Sequence, residues 1–123
     1  MIKDITAILI WSEHYRELAN WYIEKLDFKP VEELNHPDDT GVGFEVGHMY
    51  FWIGQHSKVH GKNHDEHRHM FNLEVESVTQ TYERLKKRGV EFLAAPFKAP
   101  TFDKYFATFY DLDRNLVQLI GPK

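Results

Sequence analysis

Met70-Phe71-Asn72-Leu73-Glu74-Val75-Glu76-Ser77-Val78-Thr79-Gln80-Thr81-Tyr82-Glu83-Arg84-Leu85-Lys86-Lys87-Arg88-Gly89 changes its hydrophobic period halfway along. Phe71, Leu73 and Val75 alternate with Met70, Asn72 and Glu74, the period-two signature of a strand with two different faces. From Ser77 the spacing turns helical, with Val78, Tyr82 and Leu85 as the apolar stripe. Ser77-Val78-Thr79-Gln80 fits a capping box, in which the hydroxyl and the amide satisfy the first free N–H groups reciprocally. Lys86, Lys87 and Arg88 complement the negative end of the helix dipole, and Gly89 supplies a left-handed exit. The unit is a strand running straight into a helix.

Downstream, Val90 to Leu93, Tyr105 to Tyr110 and Leu116 to Ile120 read as strands. Ala95-Pro96 and Ala99-Pro100 mark loops, and Asp111-Leu112-Asp113-Arg114-Asn115 marks a turn. Upstream, Gln55 to Arg68 is polar and without period, a loop. Before it the same order occurs once already. Ile5 to Trp11 is a short apolar strand. Ser12 is its candidate helix cap, and Tyr15, Leu18, Ala19, Tyr22 and Leu26 step along one helix face. Pro30 in Phe28-Lys29-Pro30-Val31-Glu32 excludes a continuing helix. A polar turn, His36 to Gly41, precedes the strands Val42 to Val46 and Met49 to Ile53, which Gly47-His48 joins as a tight hairpin. Phe28 and Val90, half a chain apart, open corresponding strands. The expected fold class is α+β, two βαβββ modules in one domain over residues 1–123. Module one covers about 1–55, the loop about 56–68 and module two about 69–123. An α+β sandwich of ferredoxin-like order is the structural rival, and it would have to discard a strand from each half.

Composition narrows the function classes. A chain of 123 residues with 42% apolar and 28% charged residues fits one soluble domain with a real core. The longest early apolar stretch, Ile5 to Trp11, falls far short of the roughly 20 residues of a membrane span. With no basic leader and no cysteine, the expected location is cytoplasmic, and thiolate chemistry is excluded. Fifteen basic against nineteen acidic residues, a net charge of −4, gives no drive toward nucleic acid. Eight histidines, three Trp, six Tyr and nine Phe remain as candidate site material.

Several pieces resemble the vicinal oxygen chelate superfamily, which includes glyoxalase I, bleomycin-resistance proteins and extradiol dioxygenases. Trp21-Tyr22-Ile23-Glu24-Lys25-Leu26-Asp27-Phe28 is similar to its helix exit. Leu73 to Val78, followed by Tyr82, Leu85 and Gly89-Val90-Glu91-Phe92, is similar to the start of its second module. Ala107-Thr108-Phe109-Tyr110-Asp111-Leu112-Asp113-Arg114-Asn115-Leu116-Val117-Gln118-Leu119 resembles its closing turn and last strand. The resemblance implies a curved, cup-shaped mixed sheet around one concave pocket. Asp27 and Arg114 stand where the family usually has Gly. If those turns need a positive φ, each substitution costs on the order of 1 kcal/mol.

Enzymes of the superfamily hold a divalent ion with His, Glu or Gln from the first and last strands of each module, and the ion acts as a Lewis acid on vicinal oxygens. The positions the resemblance assigns fall near Ala7, near Trp52, on Met70 and on Gln118. Only Gln118 can ligate, and weakly, so the expectation is no metal and no cofactor. Parity then places Trp11, Met70, Asn72, Glu74 and Gln118 toward the pocket, and the resemblance implies the same for Tyr50 and Trp52 of the fourth strand, a lining suited to a small aromatic or apolar molecule. The alternative is that Trp11, Tyr50 and Trp52 fill the core or a dimer contact.

His56, His60, His64, His67 and His69 crowd the loop with Asp65 and Glu66. His64-x-x-His67-x-His69 is a metal-binding candidate, set against a solvated connection, which is the favoured reading. His14 and His36 read as surface residues. Glu74, His56 and His69 are the candidate acid–base residues. Two functions follow: a metal-free small-molecule-binding protein, as bleomycin-resistance proteins are, or a lyase, isomerase or dioxygenase using metal or acid–base chemistry. A cupped sheet with an open edge further implies a homodimer.

Overall fold

Ala7–Trp11, with isoleucines on one side and Leu9 and Trp11 on the other, forms strand β1. The computed structural model describes Met1 to Lys123 as two units, Met1–Gly61 and Lys62–Lys123. In the first unit β1 is followed by α1 (Tyr15–Leu26), β2 (Pro30–His36), β3 (Asp39–Val46) and β4 (Met49–Gly54). The second repeats the order with β5 (Met70–Glu74), α2 (Val78–Lys87), β6 (Phe92–Lys98), β7 (Tyr105–Tyr110) and β8 (Leu116–Gly121). The α+β class and both βαβββ modules are therefore as expected, built as two four-stranded mixed sheets. Their strand orders are β1-β4-β3-β2 and β5-β8-β7-β6. In each, the first strand runs parallel to the last and the other pairs are antiparallel. No helix is long and apolar enough to cross a membrane.

One face of each sheet is covered by its helix. Leu18, Ala19 and Tyr22 of α1 are buried with Phe44, Phe51 and Ile53. The Tyr22, Phe28 and Phe51 rings pack with centroids 5.3–5.4 Å apart. In the second unit Tyr82 of α2 meets Phe92 edge-on at 4.6 Å, and Phe92 in turn meets Phe109 at 5.4 Å. Val78 and Leu85 complete the helix stripe, against buried Val117 and Leu119. Burying one such side chain contributes about 1.5–3 kcal/mol.

Local chemistry explains the boundaries, including those that differ from expectation. Ser77 caps α2, its Oγ accepting from the Gln80 N–H at 3.2 Å while donating to the Lys123 carbonyl at 2.8 Å. Ser12 is not the cap of α1. That position is His14, and Ser12 Oγ accepts from the His14 N–H at 3.0 Å, so its hydroxyl makes a turn that leads into the helix. Asp27 and Arg114 both adopt left-handed backbone, with φ of 60° and 69°. Ala95-Pro96 is strand and not loop: it lies within β6, a sheet edge whose register slips between Ala94 and Phe97. An edge strand with a bulge tolerates a missing N–H. The His36–Gly41 turn is shorter than expected, because β2 and β3 pair as far as His36 and Asp39.

Candidate functional site

The helix-free face of the first sheet can be read from its register. Phe51 packs on Tyr22 of α1, so its neighbours Tyr50 and Trp52 point the other way. Leu9, Trp52, Gly43 and Glu32 form one cross-strand row, and Trp11, Gly54, Gly41 and Leu34 the next. Ala7, Tyr50 and Glu45 form a third. The glycines are where the rings lie. A Cβ on Gly41 would come within 2.6 Å of the Trp52 indole, and one on Gly54 within 2.8 Å of Trp52 and of Trp11. A Cβ on Gly43 would meet the Tyr50 ring. Tyr50 and Trp52 thus lie near-parallel, with a 19° interplanar angle and centroids 6.4 Å apart.

Accessibility differs along this face. Trp52 is 4% exposed, Trp11 38% and Leu9 54%, so Trp52 is a floor and Trp11 and Leu9 remain open. The Tyr50 hydroxyl donates to Glu32 Oε2 at 2.5 Å. Partial burial and then this hydrogen bond push the phenol well above its ordinary range, because ionisation would place a phenolate beside a carboxylate. Glu32 was missed by sequence reading. Its position opposite Gly43 follows from a register shift between Pro30 and Glu32, which no residue pattern announces.

The corresponding face of the second sheet is more polar. Asn72, Gln118 and Thr108 share a row, and Gln118 Nε2 donates to Thr108 Oγ1 at 3.1 Å. Glu74, Ile120 and Phe106 form the next row, and Phe106 gathers Phe97 and Phe102 at 5.7 and 5.9 Å. Met70, Leu116 and Tyr110 make the third, with the Arg114 guanidinium 3.7 Å from the Tyr110 ring. Met70, Asn72 and Glu74 are exposed, whereas Phe71 and Leu73 are partly covered.

The histidines are spread out. His56 packs edge-on against Trp11 at 5.4 Å, and its Nδ1 accepts from the Lys58 N–H. His60 Nδ1 pairs with Glu13 at 3.2 Å, and the Gly61 N–H donates to the same carboxylate at 3.1 Å. Those two contacts, the backbone one first, hold Glu13 below the usual carboxylate range. His64, His67 and His69 are exposed, and His69 lies just before β5, at the opposite end of that strand from Glu74. No group of three or more His, Asp or Glu side chains is placed to hold a metal ion. The resemblance assigns the family's ligands near Ala7 and near Trp52, and to Met70 and Gln118, and of these side chains only Gln118, whose Nε2 donates to Thr108 Oγ1, carries a ligating oxygen. These residues do not fit a divalent-cation site. An open cavity of about 310 Å³ lies in the first unit, between Pro37–Thr40 at the β2–β3 hairpin end and Gln55–Ser57.

Solved structures share this fold end to end. UcmS2 is 20% identical, with 98% of each chain covered and a TM-score of 0.80. A glyoxalase family protein from Enterococcus faecalis is 21% identical, with 96% of this chain and 97% of that one covered and a TM-score of 0.78. The fosfomycin resistance protein FosX from Listeria monocytogenes is 15% identical, with 100% and 96% covered and a TM-score of 0.74. No curated protein matches this chain in sequence. The family model described as Glyoxalase/Bleomycin resistance protein/Dioxygenase superfamily matches residues 4–119. Nearly the whole chain is spanned by that match, and the protein belongs to this superfamily.

Proposed function

We propose that this chain is a small-molecule-binding member of the superfamily, taking a flat aromatic or apolar organic molecule without a divalent ion. The observation that carries the reading is the glycine-seated aromatic face of the first sheet. Trp52 and Tyr50 lie flat over Gly41, Gly43 and Gly54, and Trp11 and Leu9 stay open beside them. Apolar and aromatic surface left open on a helix-free sheet face is the material of ligand sites. The donor set at the family's metal positions supports metal-free binding, since Ala, Trp and Met side chains offer a hard cation nothing.

The test is a thermal-shift screen of planar aromatic compounds with and without a chelator. Hits are expected to raise the melting temperature equally in both conditions. The rise is expected to disappear in Trp11→Ala, with an unchanged far-UV spectrum. Shifts that survive Trp11→Ala, or that vanish with chelator, would overturn the reading.

The same reading includes self-association as a homodimer. Of the first sheet's two edges, β2 carries Pro30, Glu32 and Glu33, which discourage pairing. The β1 edge is apolar, with Leu9 exposed. A sedimentation mass of twice 14.6 kDa is expected at micromolar protein, and the monomer mass would refute it.

A further inference from the structure

The rows of the aromatic face of the first sheet hold carboxylates and no lysine or arginine, with His36 opposite Asp39 and His56 edge-on to Trp11 as the neighbouring imidazoles. Glu32 on β2 and Glu45 on β3 share rows with Trp52 and Tyr50, and Asp39 follows the same alternation at the hairpin end. Arg16, the one arginine of residues 1–61, is committed to Glu33 at 2.5 Å. Glu33 pairs with Val42, one residue out of step with Glu32, and so belongs to the opposite face. Glu32 is also held in place. The Tyr50 hydroxyl takes one carboxylate oxygen and leaves Oε1 for another partner, so the carboxylate stands fixed beside the ring that lies over Gly43.

Resting on the small-molecule reading above, we infer that the ligand of this face is an organic cation, a planar aromatic molecule bearing a protonated or quaternary nitrogen. Its flat part lies against Trp11 and the Tyr50–Trp52 floor, and its charge sits toward Glu32 and Glu45. Ring faces carry negative quadrupole density and attract a cation, and the two carboxylates add Coulomb attraction. A neutral isostere receives only the stacking. An anion meets the carboxylates as like charges.

Tryptophan-fluorescence titration with three bicyclic probes, N-methylquinolinium, neutral quinoline and naphthoate, tests this at neutral pH and low salt. N-methylquinolinium is expected to bind about tenfold tighter than quinoline, with naphthoate weakest. In Glu32→Gln the cation-to-quinoline ratio is expected to fall about threefold, and further in the variant that also carries Glu45→Gln. Glu33→Gln, on the opposite face, is expected to leave the ratio where it was. Equal binding of N-methylquinolinium and quinoline would overturn the charge inference and leave the aromatic site standing. A ratio that survives Glu32→Gln and Glu45→Gln, or that falls equally in Glu33→Gln, would also overturn it. Binding of none of the three probes would remove both readings.

Discussion

The Tyr50 hydroxyl and the Glu32 carboxylate are joined at 2.5 Å although they stand eighteen positions apart along the chain. Tyr50 lies on the inner strand β4 and Glu32 on the edge strand β2, with Gly43 of β3 between. The phenol therefore reaches across a whole strand, and it can do so only because Gly43 has no side chain.

That pair sets a test in alkaline solution. Tyr50 is shifted above the ordinary phenol value of 10.0, so the folded protein keeps this proton after the unfolded chain has lost it. The stabilisation is complete below the ordinary value and is lost as pH rises beyond it. Tyrosinate absorbance is expected to show one late-ionising phenol. It should be absent in Tyr50→Phe and displaced toward the ordinary value in Glu32→Gln.

The glycine seats are expected to differ in tolerance. The atoms nearest a Cβ on Gly43 all belong to the Tyr50 side chain, which can swing away once its bond to Glu32 is given up. A Cβ on Gly41 meets the Ile53 carbonyl oxygen at 2.5 Å and Gly54 Cα at 2.7 Å, both backbone. Gly41→Ala is expected to cost about 1–3 kcal/mol in chemical denaturation, and Gly43→Ala less. Near-UV circular dichroism should report the displaced Tyr50 in Gly43→Ala.

Arg114 holds left-handed backbone, with φ of 69°. Arg114→Gly relieves that strain but loses the stack on Tyr110 and the 3.0 Å bond to Glu91. Its stability in chemical denaturation is expected to stay within about 1 kcal/mol of the wild type, while Arg114→Ala, which loses both contacts and keeps the strained φ, should fall about 1 kcal/mol below Arg114→Gly.

Glu13 tethers the start of the histidine-rich loop, and the tether is expected to fail in acid. Its carboxylate sits below the ordinary value of 4.5 through the Gly61 N–H and then His60. A depressed carboxylate contributes above its unfolded value and stops contributing as pH falls through its folded one. Hydrogen exchange at Gly61 should be slower in the wild type than in Glu13→Gln near neutrality. The difference should close below pH 4.5.

Much of this was legible in the residues. The change of period at Ser77 located β5 and α2, and Tyr105–Tyr110 is the strand its composition describes. Parity pairs Trp11 with Leu9 and Tyr50 with Trp52, the resemblance turns both pairs to one face, and the β1–β4 register joins them there. Two features were not legible. Ala95-Pro96 reads as a loop in the sequence because proline breaks inner strands, whereas β6 is an edge, and edge status depends on strand order. Glu32 and the glycine seats depend on register, which is fixed between strands and only weakly by any one of them.

The strand order has a consequence for how the chain is made. In each unit the strand synthesised last, β4 or β8, lies between the first strand and the rest. As the nascent chain leaves the ribosome, β2 and β3 can close their hairpin at once, but β1 waits for the last strand before it gains a neighbour in its sheet. Its apolar residues, Leu9 and Trp11 among them, stay unsheltered through that interval, the period in which a growing chain is most exposed to aggregation.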